Sequence, residues 1–372
     1  AERTYYLTST NPKKYPDNPI TINNYSGVHN FAKNNFNDVE TYGGRAALKI
    51  DLNDSWTVTP MVMYQNQKTN GIFAFDPKYG DLNVTDYGPD FSTDHWYQAA
   101  LTAEGKISDF DLVYSGGYFE RTADFAFDYS EYSVAYDYYG YSRFRDNAGD
   151  LIDPTQYETE KDGYTKLTHE LRLSSPASNR FRYVLGAFYQ RQTNDIRNEF
   201  LIPNLGHDPA GYNYSVPGQY PNLYLTQQLR VDRDYALFAD ATFDLTDKLK
   251  VSAGLREFKA ENTLYGFFGF NNLYVDLSNG DNFDHGSGTS SCFTPITYSG
   301  SNMPCANTDA MLNETGETHR VNLQYQLDPD RMVYVTYSTG FRPGGNNRRV
   351  GLPPFTSDTL SFRALEGHDN IG

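Results

Sequence analysis

The stretch MVYVTYSTGFRPGGNNRR, Met332 to Arg349, decides how this chain is to be read. A turn at Asp328-Pro329-Asp330 leads into it. Val333, Val335 and Tyr337 then fall on one side of an extended segment, and Tyr334, Thr336 and Ser338 on the other. That period of two is the mark of a strand with one apolar face. The strand runs directly into a loop rich in glycine and arginine.

The same pattern repeats along the chain. Ala46, Leu48, Ile50 and Leu52 share one face, and Arg45, Lys49 and Asp51 lie on the other. After the turn Asn53-Asp54, Trp56, Val58, Pro60, Val62 and Tyr64 alternate with Thr57, Thr59, Met61, Met63 and Gln65. A second hairpin sets Tyr97, Ala99, Leu101 and Ala103 against Phe110, Leu112, Tyr114, Gly116 and Tyr118, across Ser108-Asp109. A third sets Leu167, Leu171 and Leu173 against Phe181, Tyr183, Leu185, Ala187 and Tyr189. A fourth turns at Thr246-Asp247-Lys248, and the fifth joins Val321, Leu323, Tyr325 and Leu327 to the strand that opens this section. About ten complete strands result, with a further one expected near Asp369.

Every tight turn falls on one side of the sheet. The other side carries long polar loops, expected at about 1–37, 69–93, 126–163, 196–222, 266–314 and 341–365. A soluble β-sandwich rarely segregates its connections this way, whereas a barrel crossing an outer membrane does so as a rule. Trp56, Phe110, Phe181 and Tyr189 stand at strand ends, where interfacial aromatic girdles lie. Charges such as Glu104, Lys106, Glu170, Arg172, Arg182, Asp240, Arg256 and Arg320 share the polar faces; a wet lumen tolerates them, and so would a solvent-facing sandwich.

Bulk properties narrow the choice. The 372 residues carry 47 acidic against 31 basic side chains, a net charge of −16, which disfavours nucleic acid as a partner. Tyrosine is unusually abundant at 32 residues, suiting surfaces that are apolar on one side and wet on the other. Mean hydropathy is −0.66, and no apolar run approaches a membrane helix; a spanning strand needs apolar side chains only at alternate positions.

With the hairpins laid out, three stretches resemble TonB-dependent outer-membrane receptors of the siderophore-receptor-like group. They are Asp38 to Gln67 (DVETYGGRAALKIDLNDSWTVTPMVMYQNQ), Thr168 to Gln190 (THELRLSSPASNRFRYVLGAFYQ) and Thr318 to Asn346 (THRVNLQYQLDPDRMVYVTYSTGFRPGGN). The resemblance implies an all-β transmembrane antiparallel barrel of about 22 strands filled by an N-terminal plug domain. Residues 1–372 would supply about ten of those strands as a partial barrel domain, with no plug in this chain. It implies active transport of a scarce nutrient, with a ferric siderophore first and an oligosaccharide or cobalamin as alternatives. TonB is the expected partner, reached through the plug. Outer-membrane lipid and lipopolysaccharide would surround the barrel, and a surface lipoprotein is a further expected partner. A passive porin-like barrel remains a competing reading.

Candidate chemistry is concentrated in the loops. The run YSEYSVAYDYYGY offers Tyr129, Tyr132, Tyr136, Tyr138, Tyr139 and Tyr141 to a planar or sugar-like ligand, or else packs on itself to stiffen the loop. Arg342, Arg348 and Arg349 can grip an anion, or pair with carboxylates of the lumen or plug. Cys292 and Cys305 share one polar segment, and a disulfide between them would add roughly 3 kcal/mol on the chain-entropy account; two separate thiols are the other reading. Asp276, Asp281 and Asp284 lack the spacing of a calcium loop and read as a solvated acidic turn. No histidine spacing suggests a metal, no cofactor is expected, and the absence of a nucleophile elbow, phosphate loop or CxxC pair argues against an enzyme. His169 is the misfit: its parity is lipid-facing near the middle of a strand, so either the register slips there or it touches protein.

Overall fold

A computed structural model describes residues 3–5, 20–22, 37–75, 77, 80–83, 90–130, 132–133, 144–207, 215–216, 218–270 and 308–346. Two short strands, β1 (Arg3–Tyr5) and β2 (Ile20–Ile22), pair with each other. The remainder is one antiparallel sheet: β3 (Val39–Ala47), β4 (Ile50–Asn53), β5 (Trp56–Asn70), β6 (Phe91–Ile107), β7 (Phe110–Asp128), β8 (Tyr157–Ser174), β9 (Phe181–Leu201), β10 (Asn222–Asp244), β11 (Leu249–Gly269), β12 (Thr308–Asp328) and β13 (Arg331–Ser338). Each strand pairs with its neighbours in sequence, so the sheet is a simple meander. Among the described residues no helix is long and apolar enough to cross a membrane.

The sheet has eleven segments, yet β3 and β4 are one strand interrupted. Both pair with β5, and Leu48 lies opposite Pro60 between them. The Leu48 amide donates to the Pro60 carbonyl at 3.1 Å, but proline has no N–H to return the bond, so the ladder lapses there. The five expected hairpins and their registers therefore stand.

The tight turns are held by their own side chains. The Asn53 carboxamide oxygen accepts from the Ser55 amide at 2.9 Å. The Thr246 hydroxyl accepts from the amides of Lys248 and Leu249 at 3.2 and 3.0 Å. The Asp328 carboxylate accepts from the Asp330 amide at 3.0 Å and from Arg331 Nε at 2.6 Å. These are the local side-chain closures that make Asn, Asp and Thr turn formers.

The long connections are shorter than the sequence suggested. β7 extends to Asp128 and β8 begins at Tyr157; β9 extends to Leu201 and β10 begins at Asn222. β11 extends to Gly269 and β12 begins at Thr308. The reason is physical. Beyond Tyr189, β9 carries Arg191, Asp195, Arg197 and Glu199 on one face and Gln190, Gln192, Asn194 and Asn198 on the other. Both faces are wet at that height, so the alternation that betrays a strand disappears while the backbone pairing continues.

The outward face carries a definite band. On β9 and β10 it runs from the pair Phe181/Phe243 to the pair Tyr189/Tyr235, about nine residues, which is what a tilted strand needs to cross a hydrocarbon core. Leu185 and Leu237, within it, are 47% and 66% exposed. Rings edge the band. Phe110, Tyr183, Phe181 and Phe243 meet near the tight turns, with centroids 5.9 to 6.5 Å apart. Tyr42–Tyr64, Tyr97–Tyr118, Tyr114–His169–Tyr189–Tyr235 and His319–Tyr337 form the far edge, with centroids 5.2 to 6.3 Å apart. Two such girdles bounding an apolar belt of about 25 Å are the signature of a membrane barrel.

His169 keeps the outward register, opposite Tyr189, so no slip occurs. Its Nδ1 lies 2.7 Å from the Tyr114 hydroxyl, and its ring stacks against Tyr114 and Tyr189. It is a member of the upper girdle.

Candidate functional site

The inward faces of β7 to β11 build a wall whose chemistry changes with height. Toward the tight turns it is ionic and paired. Arg182 grips Asp244 with two bonds of 2.5 and 2.8 Å, Arg172 meets Glu170 at 2.5 Å, and Arg320 meets Asp240 at 2.7 Å. Two glycines on the wall are roofed by rings or acids: a Cβ on Gly186 would lie 2.1 Å from the Phe238 ring, and one on Gly254 would lie 2.7 Å from the Asp240 carboxylate. Gly186 is thus required for Phe238 to lie flat.

Higher up, the wall becomes polar and acidic. Arg121 holds Asp94 with Nε–Oδ1 at 2.9 Å and Nη2–Oδ2 at 2.6 Å. Gln190 donates to Asp234 at 3.0 Å, and Asn262 donates to Asp232. Asp162 stands on β8 well above the upper girdle, and one of its carboxylate oxygens is shielded without a hydrogen bond. Burial, with the nearby Glu160 carboxylate next, pushes its pKa up to about 6. Because the folded value lies above the ordinary one, the fold favours protonated Asp162, and that stability is lost as pH rises through about 6. Asp162→Asn is therefore expected to raise the thermal midpoint at pH 7.5, with the difference closing by about pH 4; a pH-independent difference would contradict this assignment.

At the rim beside the long loops four rings form a row across the inner wall. Tyr129, just past β7, lies 5.1 Å from Phe200 of β9; Phe200 lies 5.6 Å from Tyr224 of β10; Tyr224 lies 4.8 Å from Phe270 at the end of β11. All three contacts are edge-to-face and all four residues are half-buried. The exposed Tyr132 extends the row, 5.2 Å from Tyr129. The connections from β7 to β8 and from β9 to β10 support it from above. Phe144, Ile152, Ile202, Leu205 and Leu223 form a small buried core against Phe270, and the Gly206 amide donates to the Arg145 carbonyl at 2.8 Å.

Of the tyrosine run, the fold joins Tyr129 and Tyr132 to this row; Tyr136, Tyr138, Tyr139 and Tyr141 lie outside the described residues, as do Arg348, Arg349, Cys292, Cys305 and the acidic loop around Asp281. Phe200 and Phe270 were missed because they fall in segments expected to be loop, and Tyr224 because it lies beyond the alternation read on β10. Arg342 is exposed and belongs to a strap, residues 341–346, that folds back along the inner wall. Phe341 stacks on Phe258 of β11 with centroids 3.7 Å apart, and the Gly344 amide donates to Glu314 of β12 at 2.8 Å. The Asn346 amide and carboxamide donate to Asn262 Oδ1 at 3.0 and 2.8 Å. Residues 341–346 of the basic loop thus lie along the inner wall. Among the described residues no group of three His, Cys, Asp or Glu side chains is placed to hold a metal.

The family model for TonB dependent receptor-like β-barrels matches residues 64–367. The chain belongs to the TonB-dependent receptor β-barrel family. Its sheet superposes on solved receptors of low identity, which bear on the fold. The ferric yersiniabactin uptake receptor FyuA of Yersinia pestis matches with a TM-score of 0.56 at 11% identity, over 84% of this chain and 40% of that one. The open form of the ferric-catecholate import receptor Fiu of E. coli K12 gives 0.52 at 13%, over 85% and 49%. The siderophore receptor PiuA of Acinetobacter baumannii gives 0.50 at 14%, over 82% and 42%. The chain of this family member thus spans less than half the length of each of these receptors.

Proposed function

We propose that this chain is the extracellular-mouth and wall portion of an outer-membrane uptake receptor. The ring row Tyr129–Phe200–Tyr224–Phe270 captures a flat or ring-bearing nutrient at the rim, and the paired ionic wall below receives it. TonB, acting through a plug domain, supplies the energy. A ferric siderophore is the first candidate substrate, supported by the receptors of ferric yersiniabactin and ferric catecholate that share the fold. Oligosaccharide and cobalamin are the alternatives. The row of edge-packed rings carries the reading: half-buried aromatic faces over a polar shaft suit a ligand with planar groups and attached charge.

The test uses the full-length receptor in an iron-starved deletion strain supplied with labelled siderophores. Phe200→Ala with Tyr224→Ala is expected to lower uptake of the cognate ligand at least tenfold while the receptor stays at wild-type surface level. Unchanged uptake of every siderophore in the deletion strain would remove the iron assignment. Unchanged uptake by the double variant would remove the ring row from the binding site.

A further inference from the structure

The inner face of β7 changes character above the upper girdle. Going up, its inward residues are Arg121, Ala123, Phe125, Phe127 and, just past the strand, Tyr129. The rings of Phe125 and Phe127 stack, with centroids 6.0 Å and planes 16° apart. Both are half-buried, and Tyr129 above them belongs to the rim row. The three rings form a column leading down from the rim into the shaft. They face the lumen, so the lipid belt does not account for them.

The neighbouring column on β8 is acidic. Glu158 lies opposite Phe127, Glu160 opposite Phe125 and Asp162 opposite Ala123. These carboxylates share one face at steps of about 6–7 Å, close enough for like charges to repel. The cations described on β7 to β9 do not relieve them. Arg121 is committed to Asp94 by bonds of 2.9 and 2.6 Å. Lys161 is on the outer face, 3.8 Å from Asp124, and Arg197 pairs on that face with Glu199 at 2.6 Å. Lys166 stands four residues below Asp162, about 13 Å down the strand. Asn198 of β9 donates to Glu158 at 2.7 Å, which leaves the charge in place. Asp162 registers the crowding: burial and the adjacent Glu160 both raise its pKa.

Rings on one side and unrelieved carboxylates on the other are the two halves of a receptor for an organic cation. A ring face attracts an ammonium or guanidinium through its quadrupole, and a carboxylate beside it adds a charge-assisted bond. A bare metal ion is served poorly, since rings offer it no lone pair and no group of three ligating side chains is placed for one among the described residues. A ligand carrying only anionic groups is repelled.

We propose that Phe125, Phe127, Glu158 and Glu160 form a subsite for a protonated amine or guanidinium group carried by the incoming ligand. The ring-bearing part of the ligand rests on the rim row, and its cationic arm reaches down between the β7 rings and the β8 carboxylates. This rests on the uptake reading and narrows its substrate class to ligands with at least one organic cation. A small ammonium probe needs neither iron nor TonB to bind, so the subsite and the uptake reading can fail separately.

The test is saturation-transfer NMR of the full-length receptor in detergent at about 150 mM salt, where distant charges are screened. The probes are phenethylammonium, its neutral N-acetyl amide and the anion 3-phenylpropionate. Phenethylammonium is expected to bind at least tenfold more tightly than either of the others. Glu158→Gln with Glu160→Gln is expected to abolish that preference, and Phe125→Leu with Phe127→Leu to weaken ammonium binding about fivefold. Glu104→Gln, which removes an inner-wall acid near the tight turns, is expected to leave binding unchanged. Should the double glutamine variant lack heat-modifiable gel migration, Glu160→Gln alone decides, with a drop of about threefold. Equal binding of the neutral amide, an undiminished preference in the glutamine variant, or an equal loss in Glu104→Gln would overturn the subsite. Full affinity in the leucine variant would overturn the part given to the rings.

Discussion

Leu185→Arg is expected to destabilise the lipid-inserted receptor by about 3 kcal/mol, the cost of a guanidinium near a bilayer midplane. Leu185 lies midway between Phe181 and Tyr189 on β9, faces outward, and is flanked by Leu173 and Ala239. Val184, one residue earlier, points into the lumen opposite Asp240. Val184→Arg places the same cation in a wet, acidic setting and is expected to cost less than about 1 kcal/mol. Urea unfolding of the full-length receptor refolded into lipid vesicles measures both. The contrast between adjacent positions carries the result. Equal costs on both faces would mean that neither side meets hydrocarbon, and would favour a soluble sandwich.

The second large effect concerns the strap. Asn262→Leu keeps the branched side-chain shape but removes the acceptor for the Asn346 amide and carboxamide and the donor to Asp232. The Asn262 main-chain carbonyl, which also accepts from Asn346 at 2.9 Å, is left as the remaining tie, with Arg230 reaching the Asn346 carbonyl at 3.4 Å. Losing two partly buried hydrogen bonds costs about 1–3 kcal/mol locally. Amide exchange at Asn346 is therefore expected to accelerate at least tenfold, a factor that corresponds to about 1.4 kcal/mol. Asn346→Ala should give nearly the same acceleration, and the two together little more than either, since they break one shared contact. Full additivity would show that the strap is held elsewhere, for instance by the stacking of Phe341 on Phe258.

The membrane-height part of the fold was legible because lipid imposes a strict rule on alternate residues. Leu171 and Leu173 against Ala187 and Leu185 could be paired on paper, and the pairing holds in register. His169 seemed to break the rule only because its hydrogen-bond partner, Tyr114, is 55 positions away in sequence. Above the girdle the rule lapses. Phe200 stands among charged and amide side chains on both faces of β9, Tyr224 between two leucines, and Phe270 at the end of an apolar and glycine run, so no polar alternation marked their positions, still less one row.

The sequence by itself determined the meander, the sidedness of its turns and the apolar belt, because each depends on residues within one hairpin. The strand opened at Met332 needed only its own alternation and its turn at Asp328 to be placed. Tertiary structure decided everything that joins distant strands: the ring row at the rim, the strap that carries Phe341 and Asn346 back to β11, and the facing of Phe125 and Phe127 on β7 by Glu160 and Glu158 on β8. Those contacts arise from register between neighbouring strands and from loops folding inward. Both are set by packing across the sheet, and no local period of the chain records them.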